Sequence, residues 1–289
     1  MPVTGNKHFQ VIPVYNMNKK LDLEKSKQYT LSIRLSADGF SFSIYDPTEK
    51  ASIVHTAYRI EPNISLTANV KQAWAKNEFL KLPFKRVNLL IDTPRYTTVP
   101  LELFEEAQAE TIYYHNHPRN LSEVVSYNIL NRSNCVILFS IDKSTYNLLY
   151  EYFPQARLYA TVCPVIEYLC DRSRLGNNRK LYAYIQKKHI DILAFERGKL
   201  LFANTFPNRG NADCIYFILN VWKQIGLEQE IDELYLTGTP NDKENFTDEL
   251  RKYVKIVSFM PPIATYSRTD NQEPNEVPYD IQALLMSNL

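Results

Sequence analysis

The chain has 289 residues, 45 % of them hydrophobic, and its 33 basic and 32 acidic side chains leave a formal net charge of +1. That length suggests about two domains with ample core, and the charge balance argues against a DNA-binding surface, which carries a basic excess. Seven glycines, where average usage of about 7 % would give roughly 20, exclude collagen-like and Gly/Ser low-complexity classes and leave little for glycine-rich phosphate loops.

Residues 1–27 are polar and lysine-bearing with no sustained period, and read as a loosely held N-terminal segment. From Gln28, Leu31, Ile33 and Leu35 alternate with polar residues, the period of a half-buried strand. A turn at Ala37-Asp38-Gly39 leads to a second strand through Phe40, Phe42 and Ile44, and Asp46-Pro47 to a third over Ala51–Ile60. Ser65 can cap a helix whose Leu66, Val70, Ala73 and Trp74 share one face, and Val87–Ile91 is a short apolar run suited to a buried strand.

The next stretch predicts a helix near Pro100–Gln108, a loop at His115–Asn120, and a hairpin of Glu123–Leu130 with Cys135–Ile141. Ser144–Phe153 reads as a helix, Arg157–Val162 as a strand, and Val165–Cys170 begins a helix that crosses to the second half.

After residue 179 the order returns. Leu181, Ala183 and Ile185 alternate, Lys187-Lys188-His189 turns, and Ile190–Phe195 and Leu200–Phe206 form two strands around Gly198. A helix from about Asn211 follows, then a strand at Glu233–Thr237. Asn241 with Glu244 predicts the cap of a helix faced by Phe246, Leu250 and Tyr253, and Lys255–Phe259 is the fifth strand. Leu89–Pro94 can be laid on Tyr235–Pro240, ending alike in Thr-Pro, and Trp74 and Trp222 each sit on the helix before those segments.

Other constellations are weaker. The four cysteines have no zinc-type spacing and read as buried or free thiols, and His115 and His117 lack a sequence-local third ligand, so no metal site is expected. Tyr113, Tyr114, Tyr146, Tyr150 and Tyr152 look exposed, a residue type favoured at interfaces, although for any one of them a core ring with its hydroxyl at the surface is the plainer reading. No apolar run reaches 18 residues and Met1–Gln10 is polar, so neither a membrane span nor a signal peptide is expected and the chain reads as cytoplasmic. Ser267–Glu276 is a polar loop before an apolar cluster, Val277–Leu285, expected to pack back on the first half.

Two βββ-α-β-α-β units, the first with an insertion, resemble the actin-like ATPase superfamily, which includes actin, the Hsp70 ATPase domain, sugar kinases and the actin-like assembly protein of type IV pili. The chain is also similar to an uncharacterised bacterial family, a domain of unknown function with that fold. The resemblance implies an α/β chain of two RNase H-like lobes with mixed five-stranded sheets. The lobes would be 28–178, with an insertion at about 95–142, and 179–262, with 263–289 returning to the first lobe.

It also implies a nucleotide site between the lobes, in which a strand ending Asp-x-Gly supplies a metal-directing carboxylate and a close phosphate contact. Ser36 stands at that Asp in the first unit, with Asp38 displaced, and Gln186 stands there in the second, followed by Lys187. The adenosine-side pair of glycines is reduced to Gly238 within Thr237-Gly238-Thr239. Phosphoryl transfer depends mainly on metal-assisted electrostatics, so these losses favour a non-catalytic scaffold or adaptor whose insertion binds a protein partner. A divergent ATP- and magnesium-dependent switch is the alternative, and an RNA-associated protein a weaker one.

Overall fold

The structure, a computed structural model, describes residues 22–37, 39–48, 52–61, 63–263, 277–287 and 289. The first sheet contains β1 (Thr30–Ser36), β2 (Gly39–Asp46), β3 (Ser52–Arg59), β4 (Arg86–Ile91) and β8 (Arg157–Ala160), in the order β3-β2-β1-β4-β8. The meander β1–β3 is antiparallel, whereas β4 and β8 join in parallel, because helices return the chain to the same end. Those helices are α1 (Leu66–Lys76), whose cap Ser65 accepts the Ala68 N–H at 3.1 Å, and α3 (Lys143–Tyr152).

The second sheet repeats the pattern with β9 (Lys180–Ile185), β10 (His189–Glu196), β11 (Lys199–Pro207), β12 (Glu233–Gly238) and β13 (Ile256–Phe259), in the order β11-β10-β9-β12-β13. Its helices are α5 (Asn211–Gln224) and α6 (Lys243–Arg251). The N-cap of α6 is Asp242, which accepts the Asn245 N–H, and not the expected Asn241; Asp242 reaches that amide from a left-handed φ of 48°. Gly39, expected in the first turn, is already paired with Ser36 in the β1–β2 ladder, and Asp38 lies outside the described residues.

The insertion forms a third sheet, β5 (Tyr96–Pro100), β7 (Cys135–Asp142) and β6 (Glu123–Leu130) in that spatial order, with α2 (Ala109–Asn116) on one face. The helix expected near Pro100–Gln108 is instead the end of β5 and two single 3-10 turns, and the true helix starts at Ala109 and takes in His115 and Asn116, which were expected in a loop. Tyr113 sits on its inner face and is fully buried, its hydroxyl 2.8 Å from Ser140 Oγ, so the exposed reading of that tyrosine fails.

Asn128 joins the third sheet to the first. Its Nδ2 donates to the Leu158 carbonyl at 2.7 Å and its Oδ1 accepts the Ala160 N–H at 3.1 Å, so one side-chain amide takes the place of a missing strand on the edge of β8.

Helix α4 (Val162–Ser173), with Pro164 in its first turn where no N–H partner is needed, runs between the two sheets. Its Val165, Ile166, Leu169 and Cys170 are buried in one apolar cluster that contains Leu31 and Ile33 of the first sheet together with Tyr182, Leu193 and Phe195 of the second. The lobes therefore share a core rather than meeting at a solvated hinge. Helix α7 (Tyr279–Met286) covers the other face of the first sheet, packing Ile281 and Leu284 on Ile53, Leu90 and Tyr159. All four cysteines are free and buried.

Candidate functional site

The parallel strands β1 and β4 of the first lobe and β9 and β12 of the second end at one cleft, the place where α/β sheets of this kind present ligand-binding loops. A cavity of about 910 Å³ lies there. Gln186, Lys187, Thr237, Gly238 and Thr239 line it, together with Lys243 and a run of apolar and proline residues from Phe259 to Pro262. Ser36 is not among the lining residues; its hydroxyl donates to the Gly39 carbonyl at 3.0 Å, within the hairpin.

The floor of the cleft joins Gln186 to residues whose local sequence signals no site. Arg34, on β1, extends into it with its side chain 13 % exposed. Its Nε donates to Asp280 Oδ2 of α7 at 2.9 Å, and its Nη2 to Gln186 Oε1 at 2.7 Å and Asp92 Oδ2 at 3.1 Å. Asp92 follows β4, and its other oxygen lies 3.2 Å from His189 Nε2 at the start of β10. The amide nitrogen of Gln186, 2.8 Å from that same imidazole nitrogen, donates a hydrogen bond to Asp191 Oδ2 at 2.8 Å, and the Thr205 hydroxyl donates to the other Asp191 oxygen. The Tyr184 hydroxyl donates to Asp280 Oδ2 at 3.3 Å. Two contacts, Arg34 to Gln186 and Asp92 to His189, thus bind first lobe to second.

Burial governs the electrostatics. It would lower the affinity of Arg34 for its proton, but Asp280 and Asp92 more than reverse this and keep the guanidinium charged. Burial would likewise raise Asp92, yet its bond with His189 and the charge of Arg34 hold it below the usual carboxylate value. His189 is desolvated, but Asp92 and Asp191 raise it above an ordinary histidine. Asp191 and Asp280 are both pushed up, by burial first.

A nucleotide–metal complex asks for carboxylate oxygens open to a cation and backbone N–H groups open to phosphate. Here the carboxylates of Asp92 and Asp191 and the N–H groups of Gln186 and Thr239 are already engaged. Both oxygens of Asp92 are engaged, one by Arg34, and both of Asp191 by Thr205 and Gln186, so a divalent cation would have to displace a guanidinium. The Thr239 N–H donates to the Ile185 carbonyl at 3.0 Å and the Gln186 N–H to the His189 carbonyl at 2.9 Å. Gly238 owes its identity to the fold: at φ +93° a Cβ would lie 1.9 Å from the Ile185 carbonyl oxygen. The residues present do not fit the metal–nucleotide arrangement.

Away from the cleft, His117 Nε2 lies 3.2 Å from the Tyr96 carbonyl, and no group of three metal-ligating side chains occurs among the described residues. No helix among them is long and apolar enough to cross a membrane.

A family model described as "Protein of unknown function (DUF3822)" matches residues 18–257. Among solved structures, a Bacteroides thetaiotaomicron VPI-5482 protein with an actin-like ATPase fold and unknown function is 48 % identical, with a TM-score of 0.83 over 93 % of this chain and 99 % of that one. The PilM-PilN type IV pilus biogenesis complex is 12 % identical, with a TM-score of 0.57 over 89 % of this chain and 96 % of that chain, a likeness of fold alone. No curated protein matches. The two-lobed, mixed-sheet architecture described above is thus an actin-like ATPase fold.

Proposed function

The chain belongs to the DUF3822 family, and from that premise we propose that it is a non-catalytic member of the actin fold, a scaffold or adaptor whose interlobe cleft has its floor tied together by its own charges. The observation that carries this reading is Arg34, whose guanidinium sits among Asp92, Asp280 and Gln186 Oε1 and so occupies oxygens that a metal ion would otherwise use. Phosphoryl transfer needs that cation mobile with its substrate, whereas a guanidinium tethered to β1 cannot leave. The shared core through α4 supports the same reading, since nucleotide-driven closure needs lobes that move.

The insertion at 95–142 is the surface we assign to a protein partner. Leu103, Leu121 and Ile129, which are 69 %, 86 % and 44 % exposed, all lie on it. The fold relative PilM is described in a complex with PilN, which makes an adaptor role for this fold a reasonable one to test.

The cavity favours a second reading, in which a nucleotide or another anion binds without turnover beside Lys187, Lys243, Thr237 and Thr239. A thermal-shift titration separates the readings. A ligand at about 100 times its Kd adds roughly 2.7 kcal/mol to stability. The scaffold reading expects no shift with ATP and magnesium. A shift that needs magnesium and is lost in Gln186→Ala would overturn it, and a magnesium-independent shift would establish the second reading.

A further inference from the structure

We infer that the free edge of the second sheet, along β11, is a strand-addition site for an extended partner segment with an uncharged, β-forming middle and carboxylates at both ends. This surface is separate from the insertion, and its Thr205–Pro207 end borders the cleft. Among the described residues β11 closes one end of the sheet and pairs with β10 alone. Its nine residues span about 30 Å, longer than the usual strand of about five or six.

Open edges are normally blunted by an inward charge, a proline, a bulge or a covering element. Pro207 ends the strand at an open-side position, but the run Leu200–Phe206 before it contains no charge and no proline, and the one register shift, at Ala194/Phe195, sits near the hairpin end, leaving Phe202–Phe206 regular. The Asn208 N–H donates to the Lys188 carbonyl at 2.9 Å. Counting back by twos, Phe206, Asn204 and Phe202 face β10, so Thr205 and Ala203 point to the open side; the Thr205 N–H is taken by Asn204 Oδ1 at 2.9 Å, which leaves the Ala203 N–H and C=O and the Thr205 C=O. Beside the edge, the rings of Phe202, Phe206 and Phe217 form a row with centroids 6.5 and 4.7 Å apart, and Tyr216 next to them is 63 % exposed. An added strand would find the Ala203 N–H, the Ala203 and Thr205 carbonyls and an aromatic flank.

Charge selects the occupant. Arg197 and Lys199 are exposed at one end of β11 and Arg209 at the other, and none makes an ion pair among the described residues. Glu196 is the only acid in those two end segments and is outnumbered at its own end. A second copy pairing antiparallel about Ala203 would set Arg197 against Arg209, and a parallel copy would set each cation beside itself, both repulsive. A segment with carboxylates at both ends answers the two basic ends in either direction.

The test uses the full chain and a fluorescein-labelled peptide, Asp-Glu-Val-Thr-Val-Thr-Val-Asp-Glu, read by anisotropy at low and high salt. Its counterpart replaces the four acids with lysine. The acidic peptide should bind, and its affinity should fall at least about tenfold in Ala203→Pro and in Arg197→Glu/Arg209→Glu, while the lysine peptide should prefer the charge-reversed variant. Proline at Ala203 removes only an outward N–H, so the β10–β11 ladder is retained, as circular dichroism will report. Should that variant unfold, the surface charge reversal decides alone. Absence of binding by the acidic peptide, or equal binding of both peptides, overturns the proposal. So does a dimer in sedimentation that Arg197→Glu/Arg209→Glu strengthens, because it would give the edge to a second copy.

Discussion

Arg34→Met removes the cation at the centre of the cleft floor while keeping much of the stem's volume. Asp280, fully buried and with its Oδ1 already lacking a partner, would be left with the Tyr184 hydroxyl at 3.3 Å. Asp92 would keep His189, and Gln186 Oε1 would lose its donor. Removing one partner of a buried ion pair costs about 3–5 kcal/mol, because the surviving charge is stranded. Asp280→Asn in the same chain should recover part of that loss, giving a coupling energy of at least about 1.5 kcal/mol. Urea unfolding monitored by tryptophan fluorescence suits the question, since Trp74 stacks on Tyr152 in the first lobe and Trp222 is buried in the second. The deficit should also shrink toward pH 4, where protonation neutralises the stranded carboxylates. A loss under about 1 kcal/mol, or full additivity of the two substitutions, would refute the reasoning.

The two buried histidines of the first sheet and the cleft pull stability in opposite directions with pH. His55, lowered by burial and the Arg34 charge to about 4, must stay neutral, so stability should fall by about 3 kcal/mol as pH drops from 6.5 to 4, a loss absent in His55→Gln. His189 is raised, so its pair with Asp92 stabilises fully below pH 6.5 and loses that contribution as pH rises through the higher folded value; His189→Gln should flatten the alkaline limb of the melting-temperature profile. Gly238→Ala should cost about 2 kcal/mol or more from its positive φ and its contact with Ile185, measured by chemical denaturation, whether or not any nucleotide is present. Asn128→Leu leaves the Ala160 N–H and the Leu158 carbonyl without partners and should cost about 2–4 kcal/mol, with faster amide exchange confined to β8 and β6.

The strands and most helices were legible because their signals are local. Leu31, Ile33 and Leu35 alternate in sequence and are buried on one face in the structure, and Ser65 caps α1 as its position implies. The helix of the insertion was placed too early because Glu102–Gln108 has helix-forming residues but no periodic apolar face, while Ala109 and Tyr113, four apart, supply one. The cleft floor was illegible for a different reason. Arg34 looks like the outward residue of an alternating strand, and His189 and Asp280 like a turn and a tail. Their partners lie 152 and 246 positions from Arg34 in two cases, and no local pattern encodes such pairs. Gly238 shows the converse: a glycine read for its place in a nucleotide loop is required by the packing of β12 on β9.

The locked cleft can be tested by the distance between the lobes. Spin labels at Lys76→Cys on α1 and Lys223→Cys on α5 sit on exposed helix faces of opposite lobes, and the four native cysteines are buried. Double electron–electron resonance with and without ATP and magnesium reads any closure directly. A single narrow distribution, unchanged by nucleotide and broadened in Arg34→Met, is the expected result. A shift of several ångströms on adding nucleotide to the unsubstituted cleft would contradict it.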